Sequence, residues 1–238
     1  LSVPLRAEAQ SERDFMSKSF LGFETEKCWD YENGFYLTSH VTRIAKMLAH
    51  YELYKTIIGL PGHVVECGVY KGASFLRFAT FRELLESPHS RKMIGFDAFG
   101  RFPEQNEDAA NKSFIERFAA AGGDGISFNS FHDVLVYKGF ENCELIEGDI
   151  CATVPQYVRD HPELKIALLH VDVDVYHPTK VVLENLFDRV VKGGLVVFDD
   201  YATVVGETRA LDEFLAKTQT DVLIEKLPIS HIPAYIRK

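Results

Sequence analysis

Two apolar runs of the chain end in carboxylates spaced as cation ligands would be. The first is His170-Val171-Asp172-Val173-Asp174-Val175-Tyr176-His177, and the second is Phe198-Asp199-Asp200-Tyr201. Side chains two apart on a strand point to one face, so Asp172 and Asp174 are expected on the same side as His170. If the two runs are neighbouring strands, four carboxylates meet at one end of a sheet. Their repulsion at intermediate dielectric reaches several kcal/mol, so a cation must offset it or some of them must hold a proton. All-oxygen ligands of this kind select a hard ion, Mg²⁺ first, with Mn²⁺ or Ca²⁺ also suited. His170, inside its run, reads as a satisfied core histidine. His177, just beyond the run, is a candidate for substrate contact.

A second motif is Glu66-Cys67-Gly68-Val69-Tyr70-Lys71-Gly72-Ala73-Ser74. Glycines directly after a strand allow a tight turn and close approach of a ligand to the backbone, and the following helix start offers free N–H groups to an anionic end. The Gly-x-x-x-Gly spacing favours adenosylmethionine over a pyrophosphate cofactor. Asp97, closing the next strand, is placed to accept from ribose hydroxyls, and Asp149, in Glu147-Gly148-Asp149, from an adenine amino group. Each carboxylate is equally suited to cap a helix. Two rival readings use the Asp-x-Asp residues. One is the metal and sugar-diphosphate site of many glycosyltransferases, which leaves Glu66 to Gly72 and Asp97 unexplained. The other is a non-haem iron site at His170-x-Asp172, whose usual all-β setting this helical pattern does not match.

Strands are expected at His63–Cys67, Lys92–Phe96, Cys143–Glu147, Ile166–Val175 and Leu195–Phe198, the last reached through Gly193-Gly194. The run from Ile166 is too apolar for a half-exposed strand and reads as central and parallel. Helices are expected at Ala73–Glu86, Glu107–Ala121, near Phe131, Val154–Asp160, Thr179–Val191 and Glu207–Thr218. Apolar residues at Val41, Ile44, Leu48, Tyr51, Tyr54 and Ile58 step by three and four, giving another over Thr38–Ile58. Val222–Leu227 and Ala234–Ile236 pair as a hairpin, with Pro233 confining the latter to a strand start or an edge. Alternating strands and helices predict an open parallel sheet covered on both faces. Residues 1–36 read as an irregular arm or lid, residues 37–238 as one domain, and part of 98–142 as an insertion covering a site.

Composition narrows the function classes. The 238 residues are 46% hydrophobic and 26% charged, as in globular domains. Lys+Arg 26 against Asp+Glu 35 gives a net charge of −9, which disfavours nucleic acid and acidic membrane surfaces. Four cysteines without a Cys-x-x-Cys pair read as reduced thiols. With no leader pattern and no run near the ~20 apolar residues of a bilayer span, a cytoplasmic chain is expected.

Taken together, Glu66 to Ser74, Asp97-Ala98-Phe99-Gly100 with Pro103, Glu147-Gly148-Asp149, His170 to Pro178 and Gly193 to Tyr201 resemble the macrocin O-methyltransferase (TylF) family over roughly residues 60–215. The resemblance implies a Rossmann-like class I methyltransferase fold, with a mostly parallel seven-stranded sheet ending in an antiparallel hairpin. It implies adenosylmethionine- and Mg²⁺-dependent methylation of a sugar hydroxyl in antibiotic or glycan biosynthesis, in a homo-oligomer with an N-terminal lid. On that footing Asp172, Asp199 and Asp200 hold the metal, Asp174 is the general base and His177 a second catalytic candidate. Glu66, Gly68, Val69, Tyr70, Gly72, Ser74, Asp97, Asp149, Ile150 and Asp172 form the cofactor site. The first motif is also similar to that of catechol-type O-methyltransferases, but these place a lysine three residues after the first metal aspartate, where this chain has Val175.

Overall fold

The computed structural model describes residues 18–103 and 109–238. The chain divides into two units, residues 1–41 and 42–238. In the first, β1 (Ser19–Phe20) pairs antiparallel with β2 (Phe23–Glu24), and a 3₁₀ turn leads into the helix Cys28–Thr38. Leu21 and Gly22 both have positive φ, 51° and 82°, the two-residue turn that matches hairpin twist. The ring of Tyr31 stands edge-on to Phe23 at 5.1 Å, and its hydroxyl accepts from the Glu24 N–H. The irregular arm expected here is therefore, over residues 18–38, a hairpin and a helix. Its opening, residues 1–17, lies outside the described residues.

The second unit is built on seven strands: β3 (His63–Cys67), β4 (Met93–Asp97), β5 (Cys143–Glu147), β6 (Ile166–Val171), β7 (Val190–Phe198), β8 (Ile224–Lys226) and β9 (Ala234–Arg237). Their order is β5-β4-β3-β6-β7-β9-β8. The first five are parallel, and β9 runs antiparallel between β7 and β8. Pro233 thus marks a strand start, since β9 is interior. Strand order reverses between β3 and β6, and in such sheets the crevice beyond that reversal binds ligands.

Alternation assigns the two faces. Val65, Cys67, Ile94, Phe96, Leu169 and Val171 cluster with Val154, Tyr157, Val182, Leu183 and Leu211 from the helices Ile150–Asp160, Tyr176–Leu186 and Val205–Thr218. On the other face Ser74 Oγ donates to Glu66 Oε1 at 2.6 Å, and Phe75 lies against Gly95, both from the helix Ala73–Leu85. The helix Phe128–Lys138 joins that face. Its Phe131 is fully buried, edge-on to Phe75 at 5.5 Å, so this part of segment 98–142 belongs to the core. Among the described residues no helix is long and apolar enough to cross a membrane.

Three expectations are corrected. β6 ends at Val171, so the alternation argued for Asp172 and Asp174 has no strand to act on; Asp174 has φ of 60°, in the left-handed region that aspartate tolerates better than most residues. Gly193 and Gly194 lie inside β7, where register shifts against β6, instead of preceding it. The helix expected to reach Val191 stops at Leu186, followed by a 3₁₀ turn.

The helix Val41–Lys55 forms as its periodicity predicts, but its buried face differs. Ala49, His50, Leu53 and Tyr54 are buried, while Leu48 is 43% exposed. The helix turns a polar stripe, Arg43, Lys46 and His50, spaced three and four apart, towards the carboxyl ends of the strands or the protein interior.

Candidate active site

A cavity of about 320 Å³ opens beyond the carboxyl ends of the parallel strands. Loops after β3, β4 and β5 supply Tyr70, Asp97, Gly148, Asp149 and Ile150, and those after β6 and β7 supply Asp172, Asp174, Asp199 and Asp200. Tyr70, Asp97, Asp149, Ile150 and the four aspartates after β6 and β7 thus line one space, whereas Glu66, Gly68, Val69, Gly72 and Ser74 are not among the lining residues. Its size falls in the range of small-molecule pockets.

The glycine-rich turn is held by Asp97. Oδ2 accepts from the N–H groups of Val69 and Tyr70 at 2.7 and 2.8 Å, and Oδ1 from that of Phe99 at 2.6 Å. Tyr70 and Phe99 have φ of 51° and 50°, a conformation costing roughly 1–2 kcal/mol in a residue other than glycine, so these bonds hold two strained positions. Asp97 therefore shapes the crevice as well as lining it. The two glycines serve packing within the chain. A Cβ on Gly68 would stand 1.8 Å from the Asp172 carbonyl oxygen, and one on Gly72 would meet the Phe131 ring at 2.3 Å. Glu66 and Ser74 are buried and bonded to each other behind the turn. Asp149 is the N-cap of its helix, Oδ1 accepting from the Cys151 N–H at 2.9 Å, and it also lines the cavity. His177 is exposed in the first turn of the helix Tyr176–Leu186 and is not among the lining residues.

The four aspartates divide into two settings. Asp172, Asp174 and Asp200 present carboxylate oxygens within 4.8 Å of one another. Asp199 instead forms an ion pair with Lys46 through Oδ2, while Oδ1 lies 3.4 Å from His170 Nε2 and 3.7 Å from His50 Nε2. His170 Nδ1 in turn lies 3.9 Å from Glu66 Oε2. Burial disfavours the charge on His170, but Asp199 and Glu66 outweigh it and raise its pKa to about 10. His50, with neither ring nitrogen hydrogen-bonded, is pushed down to about 4 by burial. Burial also penalises Asp199, yet His170 and Lys46 hold it well below the usual carboxylate range. His170 is thus a buried counter-charge, more than a merely satisfied core residue.

The other three carboxylates shift the opposite way. Burial and Asp199 raise Asp172 and Asp200, and burial together with Asp200 pushes Asp174 up to about 8. Glu207, fully buried, accepts from the Asp200 N–H at 2.9 Å and is itself raised by burial. Lys46, His170 and the cavity-lining Arg43 bring positive charge to this end, yet burial and mutual repulsion still raise these carboxylates. An all-oxygen donor set of crowded carboxylates fits a hard divalent ion.

These shifts predict a pH dependence. Asp174 and His170, both raised, keep protons in the folded state that the unfolded chain has released, so stability falls as pH rises through 8 towards 10. His50, lowered, opposes this trend only below about 7.5, where the unfolded imidazole is still partly protonated, and adds no slope above it. Urea unfolding of the metal-free protein at pH 6.5 and pH 9 is expected to show this loss. Asp174→Asn should flatten its lower part, and an unchanged slope in that variant would assign the loss elsewhere.

Sequence patterns did not single out Arg43, Lys46, His50 or Glu207. The first three were legible only as a polar stripe at helical spacing, which usually marks a solvated face. Lys46 also bears on the catechol-type comparison, since it brings to the aspartates a lysine that local spacing lacks. Burial opposes its charge, but Asp199, Asp172 and Asp200 raise its pKa above the ordinary lysine value, so it is a cation and a poor base.

A sequence profile of the family described as macrocin-O-methyltransferase (TylF) matches residues 41–238. The 8-demethyl-8-(2,3-dimethoxy-alpha-L-rhamnosyl)-tetracenomycin-C 4'-O-methyltransferase of Streptomyces olivaceus is 30% identical over 156 residues, 60% of this chain and 54% of that protein. The demethyldecarbamoylnovobiocin O-methyltransferase of Streptomyces niveus is 28% identical over 170 residues, 66% of this chain and 60% of that protein. The chain thus spans a little over half the length of these curated relatives. The apo structure of CalS11, described as a TDP-rhamnose 3'-O-methyltransferase of calicheamicin biosynthesis, superposes with a TM-score of 0.62 at 26% identity, covering 100% of this chain and 96% of that one.

Proposed function

Because the chain belongs to the macrocin O-methyltransferase (TylF) family, we propose that it methylates a sugar hydroxyl of a natural-product glycoside or its precursor, using adenosylmethionine. The observation that carries this reading is the cavity at the strand-order reversal, where Tyr70 of the glycine-rich turn, Asp97 and the aspartates that follow β6 and β7 line one space. Adenosylmethionine supplies an electrophilic methyl group on a sulfonium. The turn residues Gly68 to Gly72 with Asp97 and the segment Gly148 to Ile150 would hold it, Asp149 being the candidate acceptor for the adenine amino group. Asp172, Asp199 and Asp200 would hold a divalent ion, Mg²⁺ by donor type, which would supply Lewis acidity.

Asp174 would take the proton of the acceptor hydroxyl in the transfer step. Support for this role is its place in the cavity wall beside Asp172 and Asp200. His177, exposed at the helix start, is kept for acceptor contact outside the cavity. Tyr70 and Phe102 line the cavity, and aromatic rings suit the apolar C–H face of a sugar. Four free thiols agree with a cytoplasmic setting.

Calorimetric titration is expected to show binding of adenosylhomocysteine, and an acceptor panel to favour deoxysugar conjugates over simple catechols. Binding of a nucleoside diphosphate-sugar with no response to adenosylhomocysteine would instead favour glycosyl transfer. Turnover of catechols alone would overturn the sugar assignment.

A further inference from the structure

The acidic end of the cavity already holds a cation of the chain's own. The Lys46 side chain, only 16% exposed, reaches from the helix Val41–Lys55 to pair with Asp199 Oδ2. Asp199 Oδ1 is taken by His170 and approached by His50, so both oxygens face cationic or hydrogen-bonding partners. The ion pair of Lys46 goes to Asp199 and to none of Asp172, Asp174 and Asp200, which remain grouped within 4.8 Å. An ammonium and a divalent ion on one carboxylate repel strongly at the low effective dielectric of a mostly buried site. Withdrawing the ammonium without a replacement leaves a buried charge unpaired, which is the costly half of any buried ion pair.

We propose that Lys46 is the resident counter-ion of this site and that a divalent ion binds by displacing it from Asp199, so that Lys46 sets the affinity for the ion. Lys46 is then a positioning residue: it holds Asp199 in place before the ion arrives and keeps the empty site from carrying its full negative charge. The proposal rests on the divalent-ion reading above. It goes beyond it in assigning the ion's competitor to a residue outside both acidic motifs.

Mn²⁺ binding to the protein without cofactor or acceptor tests the idea, by calorimetry on wild type, Lys46→Met, Lys46→Arg and the surface control Lys217→Met, whose side chain is 73% exposed. Removing the competing charge is expected to tighten binding by about tenfold or more in Lys46→Met. Lys46→Arg, which keeps the charge, and Lys217→Met, which makes the same change in net charge far from the site, should stay close to wild type. Lys46→Met that binds Mn²⁺ as wild type does, or more weakly, overturns the proposal while leaving the divalent-ion reading intact. Failure of both proteins to bind Mn²⁺ overturns the two together.

A measurement on wild type alone covers the case in which Lys46→Met does not fold. Acetylation of Lys46 by an amine-directed reagent, followed by peptide mass spectrometry, should speed up when Mn²⁺ is present, because the displaced ammonium leaves its ion pair. An unchanged or slower rate at Lys46 overturns displacement.

Discussion

Stripping divalent ions with a chelator is expected to abolish methyl transfer, and added Mg²⁺ to restore it. The expectation follows from charge, because burial and mutual repulsion raise Asp172, Asp174 and Asp200 together although Lys46 opposes the rise in each, its ion pair going to Asp199. An alkoxide developing beside such a cluster meets like charge, which a Lewis acid offsets by several kcal/mol, so turnover should fall by about 10³-fold or more. The paired substitution Asp199→Ala, Asp200→Ala should give the same loss without chelator. Adenosylhomocysteine binding by that variant checks that the fold survives, since removing Asp199 leaves His170 and Lys46 unpaired. Full turnover of the double variant in chelator would remove the ion from the mechanism.

Asp174→Asn is expected to bind cofactor and Mn²⁺ within a few fold of wild type and to lose roughly 10²–10⁴ in turnover, the usual effect of deleting a positioned base. Asparagine keeps the shape and hydrogen-bonding reach of the side chain but cannot take the proton. Its effect should therefore fall on kcat, with little change in the acceptor's KM. A change confined to KM would make Asp174 a binding residue and move the base role to His177. Loss of Mn²⁺ binding in the variant would instead make Asp174 a metal ligand, an outcome its place within 4.8 Å of Asp172 and Asp200 makes specific.

Several local features were readable because they depend on near neighbours in the chain. β5 forms at Cys143–Glu147 as its pattern predicts, and the turns after β3, β4 and β5 carry glycine or aspartate where a strand must stop and a helix begin. The parallel sheet followed from the buried run at Ile166 and the alternation of strands with helices. Other features misled for the same local reason. The Ile166 run keeps valines alternating with aspartates to Val175, as a strand would, yet pairing ends at Val171, and no property of Val173 or Val175 marks where β6 loses its neighbours. In the helix Val41–Lys55 the apolar stripe through Leu48 pointed to one buried face, while the fold buries the side bearing His50 and Lys46.

The boundary between the two kinds of information is physical. Residue type and spacing along the chain carry strand and helix periods, stop signals, and the fact that four carboxylates follow two apolar runs; those alone place Asp97, Asp149, Asp172, Asp174, Asp199 and Asp200 at strand ends. Which carboxylate is neutralised, and by what, depends on side chains far apart in sequence. Lys46 meets Asp199 across a sequence separation of 153, and Glu66, on β3, meets His170 on β6 because those strands are neighbours at the reversal of strand order. A carboxylate's charge state follows from its burial and from every charge nearby, so the opposite shifts of Asp199 and Asp200, adjacent residues of one type, have no local signature and arise only when the chain closes around them.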